Sequence, residues 1–383
     1  MALNPSRSSP PRFRPLFLVA LAARAGTVAL GALLATTPPH LEPPFDPDVA
    51  AVNVRLMNGS ARAIEPWYRW DARWIANVAI NGYSGATDRG GRLGVAFMPA
   101  MPATVALGGA LGVNPFWFGL IIGNLAGAVG AAVFARVAAR QLNDPAAGWA
   151  ALALLLSFPT AFFFSAPYNE SFGLLFTALA LAAWQANRPA TAGANALGGS
   201  LARMTGPALG VAALLDWLVS RDRSTLWRAI AVALGSFGGL ALFWCFLWWT
   251  VGDPLAGLKS QAAWGRPELS WKNPFRAVRS IYDPELPHWG EAVLVLGAAV
   301  LGVRAWVKRG TFWGVLVLVP VAQMFASGTL LSGHRLILAA LPALIELADL
   351  LRTNRPRLMS VLVVFAAVQF VLLNRFVHWQ FAG

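Results

Sequence analysis

Residues 229–250, AIAVALGSFGGLALFWCFLWWT, run for 22 positions without a charged side chain. At 1.5 Å per residue such a helix measures about 33 Å, enough to cross the hydrocarbon core of a bilayer. Arg221, Arg223 and Arg228 stand before it, and Trp244, Trp248 and Trp249 crowd its far end. Arginines at one end and tryptophans at the other mark a helix that crosses a membrane with its basic end in the cytoplasm. Comparable apolar runs recur at 14–35, 93–111, 115–138, 147–164, 171–187, 196–218, 289–307, 311–326, 336–350 and 358–376. One such run would suit the core of a soluble protein. Eleven predict an all-α polytopic membrane protein with about 11 transmembrane helices.

Composition agrees. Of the 383 residues, 57% are hydrophobic and 12% are charged, where a soluble domain carries about 25% charged residues. The net charge of +13 would suggest nucleic acid on a soluble chain. Here the arginines gather in short clusters at span ends, so membrane lipids are expected as partners and nucleic acid is not. Cys245, the only cysteine, excludes an intrachain disulfide and reads as a small buried hydrophobe. No internal repeat is visible, so residues 1–383 read as a single membrane domain, and no obligatory protein partner is inferred.

With residues 1–13 inside, eleven spans place the clusters 221–228, 304–309 and 352–357 in the cytoplasm. Two long polar stretches, 36–92 and 251–288, then form large extracytoplasmic loops. Arg136 and Arg140 fit badly, because they fall outside. That misfit points to a short span between 93 and 138, or to a broken pair around Pro159 and Pro167. The first loop opens with Pro38, Pro39, Pro43, Pro44 and Pro47, which forbid a regular helix there. Residues 49–60 and 70–81 beyond them read as short helices. Trp70, Trp74, Ile75, Val78 and Ala79 give the second an apolar stripe suited to lying along the interface.

Five groups of polar residues are candidates for chemistry. Asp71, in Arg69-Trp70-Asp71-Ala72-Arg73-Trp74 and ahead of Gly82-Tyr83, is either a carboxylate favouring a helix start or a general base for a hydroxyl. Tyr168, Asn169 and Glu170 sit between apolar segments. A carboxylate at that depth faces a cavity, caps the next helix or pairs with an arginine. Arg203 lies inside an apolar run, where it must snorkel, meet Glu170 or bind an anion such as a lipid phosphate. Gly252-Asp253-Pro254 is a turn, followed by Gln261 and Trp264-Gly265-Arg266 on an outward segment. His334-Arg335 closes the set, Arg335 being either a phosphate clamp or a topological anchor. There is no Walker motif, dinucleotide fingerprint or HExxH, and the four histidines form no zinc pattern, so no metal or cofactor is expected.

Taken together, RWDARWIANVAINGY (69–83), FMPAMP (97–102), FPTAFFFSAPYNES (158–171), ARMTG (202–206) and GDPLAGLKSQAAWG (252–265) resemble a known set. They are similar, in order and over most of the chain, to the family of the mannosyltransferase that adds the second mannose to glycosylphosphatidylinositol, with its bacterial relatives. HR at 334–335 and the aromatic end also fit. The resemblance implies a GT-C glycosyltransferase fold, a polyprenyl-phosphate sugar donor, a glycolipid or glycan acceptor and inversion at the anomeric carbon. It implies that Asp71 is the base. Arg203 and Arg335 are then candidates for the phosphate. Arg69, Trp70, Tyr83, Tyr168, Asn169, Glu170, Gln261, Trp264 and His334 are candidates for substrate binding. The Ala-, Gly- and Arg-rich composition suggests a bacterial inner membrane with the site on its extracytoplasmic face. The alternative is a polytopic transporter or lipid flippase, which calls for inverted repeats and alternating access.

Overall fold

The computed structural model describes residues 9–39, 50–85, 94–283 and 288–383. Residues 1–8, the Pro43, Pro44 and Pro47 positions and the start of the 93–111 run lie outside the described residues. Every described element is helical. In chain order the α-helices are α1 (Phe13–Leu34), α2 (Ala50–Met57), α3 (Asp71–Gly85), α4 (Ala100–Ala110), α5 (Pro115–Leu142) and α6 (Pro145–Ser157). Then come α7 (Glu170–Gln185), α8 (Pro189–Ala202), α9 (Ala208–Ser220), α10 (Arg223–Val251), α11 (Ala256–Lys259) and α12 (Asn273–Arg279). The last are α13 (Trp289–Arg309), α14 (Thr311–Ala326), α15 (Gly333–Leu336), α16 (Leu341–Leu351) and α17 (Arg355–Phe376).

Five helices among the described residues, not eleven, are long and apolar enough to cross a membrane: α1, α5, α10, α13 and α17. Their ends follow local chemistry. Asn114 accepts hydrogen bonds from the Phe116 and Trp117 N–H groups at the start of α5, with Pro115 in the first turn. Asp222 caps α10 through Thr225 N–H, and Gly252 closes it in the left-handed conformation. The other expected spans are helices of 11 to 16 residues. At 1.5 Å per residue these reach only about 16–24 Å. Proline and buried polar segments interrupt them, and such irregular backbone is tolerated at membrane depth only where protein surrounds it or a cavity is lined by it.

Two of the expected spans are built differently. The 93–111 run holds α4, which is only 11 residues long and folds back on the first half of α5, with Gly108 against Phe118 and Gly119 against Val105. The 196–218 run is not one span but α8 and α9, which meet at 203–207. Arg136 and Arg140 therefore sit near the end of α5 that precedes Asp144, and Asp144 pairs with Arg352 at 2.5 Å. Asp349 joins Arg304 (2.8 Å), Arg309 (2.7 Å) and Arg352 (3.2 Å), and Glu346 binds both Arg304 and Arg309. This network gathers the ends of α5, α13 and α16 on one basic face. Phe312 N–H donates to Asp216, which brings the end of α9 to the same face.

The opposite face carries the loops. The stripe of α3 packs into protein rather than along lipid, since Trp74, Ile75 and Val78 are buried. Cys245, expected inside, faces outward on α10, with Trp248 and Trp249 exposed beyond it. The bundle closes through small residues, as membrane interfaces do where backbones approach. At the α8–α10 crossing, a methyl on Gly235 would collide with the Gly193 carbonyl, and one on Gly239 would lie 2.6 Å from the Leu197 carbonyl. Gly235→Leu is expected to lower stability by about 1–3 kcal/mol or more. Thermal unfolding in detergent checks this, with Gly238→Leu on the same helix, where an added Cβ would meet nothing within 4 Å, as the neutral control.

Candidate active site

The site is assembled from the broken places of the bundle. The first is the turn into α3. Trp70 adopts φ 55° and Ser332, just before α15, adopts φ 62°. Left-handed backbone costs about 1–2 kcal/mol in a non-glycine residue, and such strain collects where side chains must be aimed. Trp70 delivers Asp71 to the first position of α3, and Ser332 delivers Arg335. Their side chains meet, Arg335 Nη1 donating to Asp71 Oδ2 at 2.6 Å.

The second broken place is 158–169, between α6 and α7. Asn169 is fixed from both sides: its Nδ2 donates to the Met98 carbonyl (2.9 Å) and its Oδ1 accepts from Met101 N–H (2.8 Å). That holds Glu170 at the start of α7, where it accepts from Arg335 Nε (2.7 Å) and lies 2.9 Å from Arg203 Nη1. Arg335 thus bridges two carboxylates, and Glu170 bridges two arginines. The Arg335 guanidinium also lies over the rings of Phe163 (5.0 Å) and Tyr168 (4.8 Å). Thr160 Oγ1 donates to the His334 carbonyl at 2.7 Å and pins α15 to the broken segment. Glu170 is buried and Asp71, Arg203 and Arg335 are partly so, and in such a place a charge without a partner is costly and a paired one is tolerated.

A cavity of about 360 Å³ opens beside the chain of charges. Of the residues singled out in the sequence, it brings together Trp70, Asp71, Asn169, Glu170, Arg203, Gln261, Trp264 and Arg335. Asp71 lines this space, and among the described residues no donor is hydrogen-bonded to its Oδ1. The remaining four lie off the cavity. Arg69 turns to Glu65 (3.0 Å), to the Val377 carbonyl and to the Trp379 ring. Tyr83 donates to the Phe97 carbonyl (2.7 Å) and packs on Phe243 and Phe246 beside a lateral apolar groove. Tyr168 donates to the Arg69 carbonyl at 3.0 Å, beneath Arg335. The ring of His334 faces Glu291 (3.3 Å) and the Ala382 carbonyl (2.9 Å). These four hold the walls.

Sequence reasoning gave too little weight to two arginines. Arg24 lies in the middle of α1 and donates to the Phe164 carbonyl, bracing the broken segment from below, and Gly127 leaves the room it needs. A lone arginine in the centre of the 14–35 run was the available signal. Arg266 lines the cavity, with its Nη1 donating to Gln261 Oε1 at 2.6 Å. Burial presses the Arg266 guanidinium below its ordinary value and Arg335 adds to this. Asp71 opposes the shift, and Arg203 lowers it again. Three basic and two acidic side chains therefore share the cavity. Among the described residues, no group of three His, Cys, Asp or Glu side chains could hold a metal ion.

Behind Met204, Thr205, Gln261, Arg266 and Leu336, which line both spaces, lies an apolar groove of about 460 Å³ against α14. A chamber holding five charged side chains and a more apolar groove thus have lining residues in common. Such an arrangement suits an amphiphile whose charged head and hydrocarbon tail must be held apart. Arg335→Met, which leaves both carboxylates without their shared partner, is expected to cost about 3–5 kcal/mol. Chemical unfolding in detergent measures it, with the exposed Arg357→Met as reference.

Over residues 99–248 the chain matches the family model described as the Alg9-like mannosyltransferase family, Glyco_transf_22. The match covers less than half of the chain and includes Asn169, Glu170 and Arg203. It ends before Gln261 and Arg335 and begins after Asp71. No curated protein shows significant similarity to the chain.

Proposed function

We propose that this polytopic protein is an inverting glycosyltransferase. It moves mannose from a polyprenyl-phosphate donor to a hydroxyl of a glycolipid or glycan on the extracytoplasmic face of a bacterial inner membrane. The observation that carries the reading is the shared lining: Met204, Thr205, Gln261, Arg266 and Leu336 border both the 360 Å³ chamber holding Asp71 and the 460 Å³ apolar groove. The similarity over 99–248 to a mannosyltransferase family supports the class of reaction and the sugar.

The chemistry follows from the placement of charge. Arg335 occupies one oxygen of Asp71 and fixes the carboxylate plane, leaving Oδ1 for a hydroxyl in the chamber. As the acceptor oxygen attacks the anomeric carbon, its proton passes to Asp71 Oδ1. The new C–O bond forms on the face opposite the leaving group. The bond between the anomeric carbon and the phosphate oxygen breaks, and its electron pair stays on the phosphate. A β-linked donor gives an α-mannoside and polyprenyl phosphate. The phosphate gains one negative charge in this step, so fixed cations beside it favour the transition state over the bound donor.

A flippase would need a polar route onward to the basic face. The void that adjoins Glu170 and Arg203 on the side away from Asp71 is separate and only about 20 Å³. It is closed by Leu174, Leu209, Leu316 and Leu341, among others. A water molecule fits such a void and a lipid headgroup does not. This favours a chamber for chemistry over a pathway.

Asp71→Asn keeps the shape and removes the base. Transfer from labelled polyprenyl-phosphate mannose to candidate acceptor lipids is expected to fall by about 10²–10⁴-fold. The unfolding temperature should stay close to that of the parent. Unimpaired transfer by a folded Asp71→Asn protein would remove the base from this reading.

A further inference from the structure

The three arginines of the chamber are not equivalent. Arg203 is consumed by Glu170 at 2.9 Å, and Arg335 is consumed by Asp71 and Glu170 together. Their charges are spent on holding the site. Arg266 has no carboxylate side chain within ion-pair distance among the described residues. Its one side-chain partner is the neutral oxygen of Gln261, at 2.6 Å. Gln261 in turn leans on the Gly257 carbonyl, at 3.4 Å, and the Arg266 N–H donates to the Gln261 carbonyl at 3.1 Å. One edge of the guanidinium is therefore fixed, and the other edge is open.

Its position matters as much as its charge. Arg266 lines both the polar chamber and the apolar groove. In a lipid-linked sugar the phosphate is the joint between sugar and hydrocarbon. When the sugar lies in the chamber and the chain in the groove, the phosphate must lie at the shared wall. An arginine with free N–H groups presents a planar fork that matches phosphate oxygens.

We infer that Arg266, oriented by Gln261, is the ligand of the donor's lipid phosphate, while Arg203 and Arg335 are internal counter-ions that position Asp71 and Glu170. This rests on the transferase reading above and moves the phosphate from the arginines that sequence reasoning favoured to a third one. Arg266 neutralises the oxygen that takes up the electron pair when the sugar leaves. It therefore binds the product polyprenyl phosphate more strongly than the donor.

The test compares polyprenyl monophosphate with the uncharged polyprenol of equal length, bound to the full chain in nanodiscs. The parent protein is expected to prefer the phosphate. A charge-assisted hydrogen-bonded contact is worth about 1.5–3 kcal/mol, so Arg266→Gln should erase about 10- to 100-fold of that preference. Polyprenol binding and unfolding temperature should stay unchanged. Arg266→Lys, which keeps the charge and loses the fork, should retain part of the preference. In transfer assays Arg266→Gln should lower kcat as well as raise KM for the donor. A parent that prefers the phosphate and an Arg266→Gln protein that prefers it equally would overturn the assignment of Arg266 and leave the transferase reading standing. A parent with no preference for phosphate over alcohol would overturn both.

Discussion

The structure depends on one arginine shared by two carboxylates. Arg335 binds Asp71 and Glu170 at 2.6 and 2.7 Å, and Glu170 passes the link on to Arg203. Each of these charges sits away from bulk water and would be too costly alone. Together they tie the turn before α3, the broken segment before α7, the junction of α8 and α9, and the short helix α15. These segments are turns, helix starts or a single helical turn. The charge chain supplies the connection that regular structure cannot, and the cavity is the space left around it.

That arrangement explains why so many helices are short. A bundle of uninterrupted spans would present side chains to a site but no turns. Here prolines, a strained Trp70 and a strained Ser332 bring helix starts and loop carbonyls to one depth. The backbone so exposed is covered by protein: Phe164, for example, gives its carbonyl to both Arg24 and Ser171. The apolar ridges meet across glycines, which lets the interrupted helices lie close enough to bury what the breaks leave open.

Much of this was legible in the sequence, and for particular reasons. Long apolar runs with arginines at one end gave α1, α5, α10, α13 and α17 to within a few residues, except that α10 starts earlier, in its arginine cluster. Asp71, Glu170, Arg203 and Arg335 stood out because ionised groups are rare between apolar segments. The half-length helices were not legible, because hydropathy measures apolar content and not continuity. The 196–218 run is apolar enough on average to hide the break at 203–207, and 93–111 is apolar yet holds a helix of only 11 residues. Arg136 and Arg140 registered the second error as a charge on the wrong side. The partners of His334 and Tyr168 were equally hidden, since side-chain direction across distant segments leaves no local signature. Arg266 was masked by company: in a loop with several charges, only geometry distinguishes the one that lines the chamber.

The contact between Arg335 and Asp71 joins residues 264 positions apart, and that between Arg69 and Val377 joins residues 308 apart. A membrane protein is delivered to its bilayer from the amino end as it is made. Asp71, Glu170 and Arg203 are therefore inserted long before Arg335 exists. Through most of synthesis the nascent bundle carries Glu170 with only Arg203 to answer it, and Asp71 without its partner. The chamber closes only when α15 arrives, after α14. On the proposed function, binding of a lipid-linked sugar thus waits for α15.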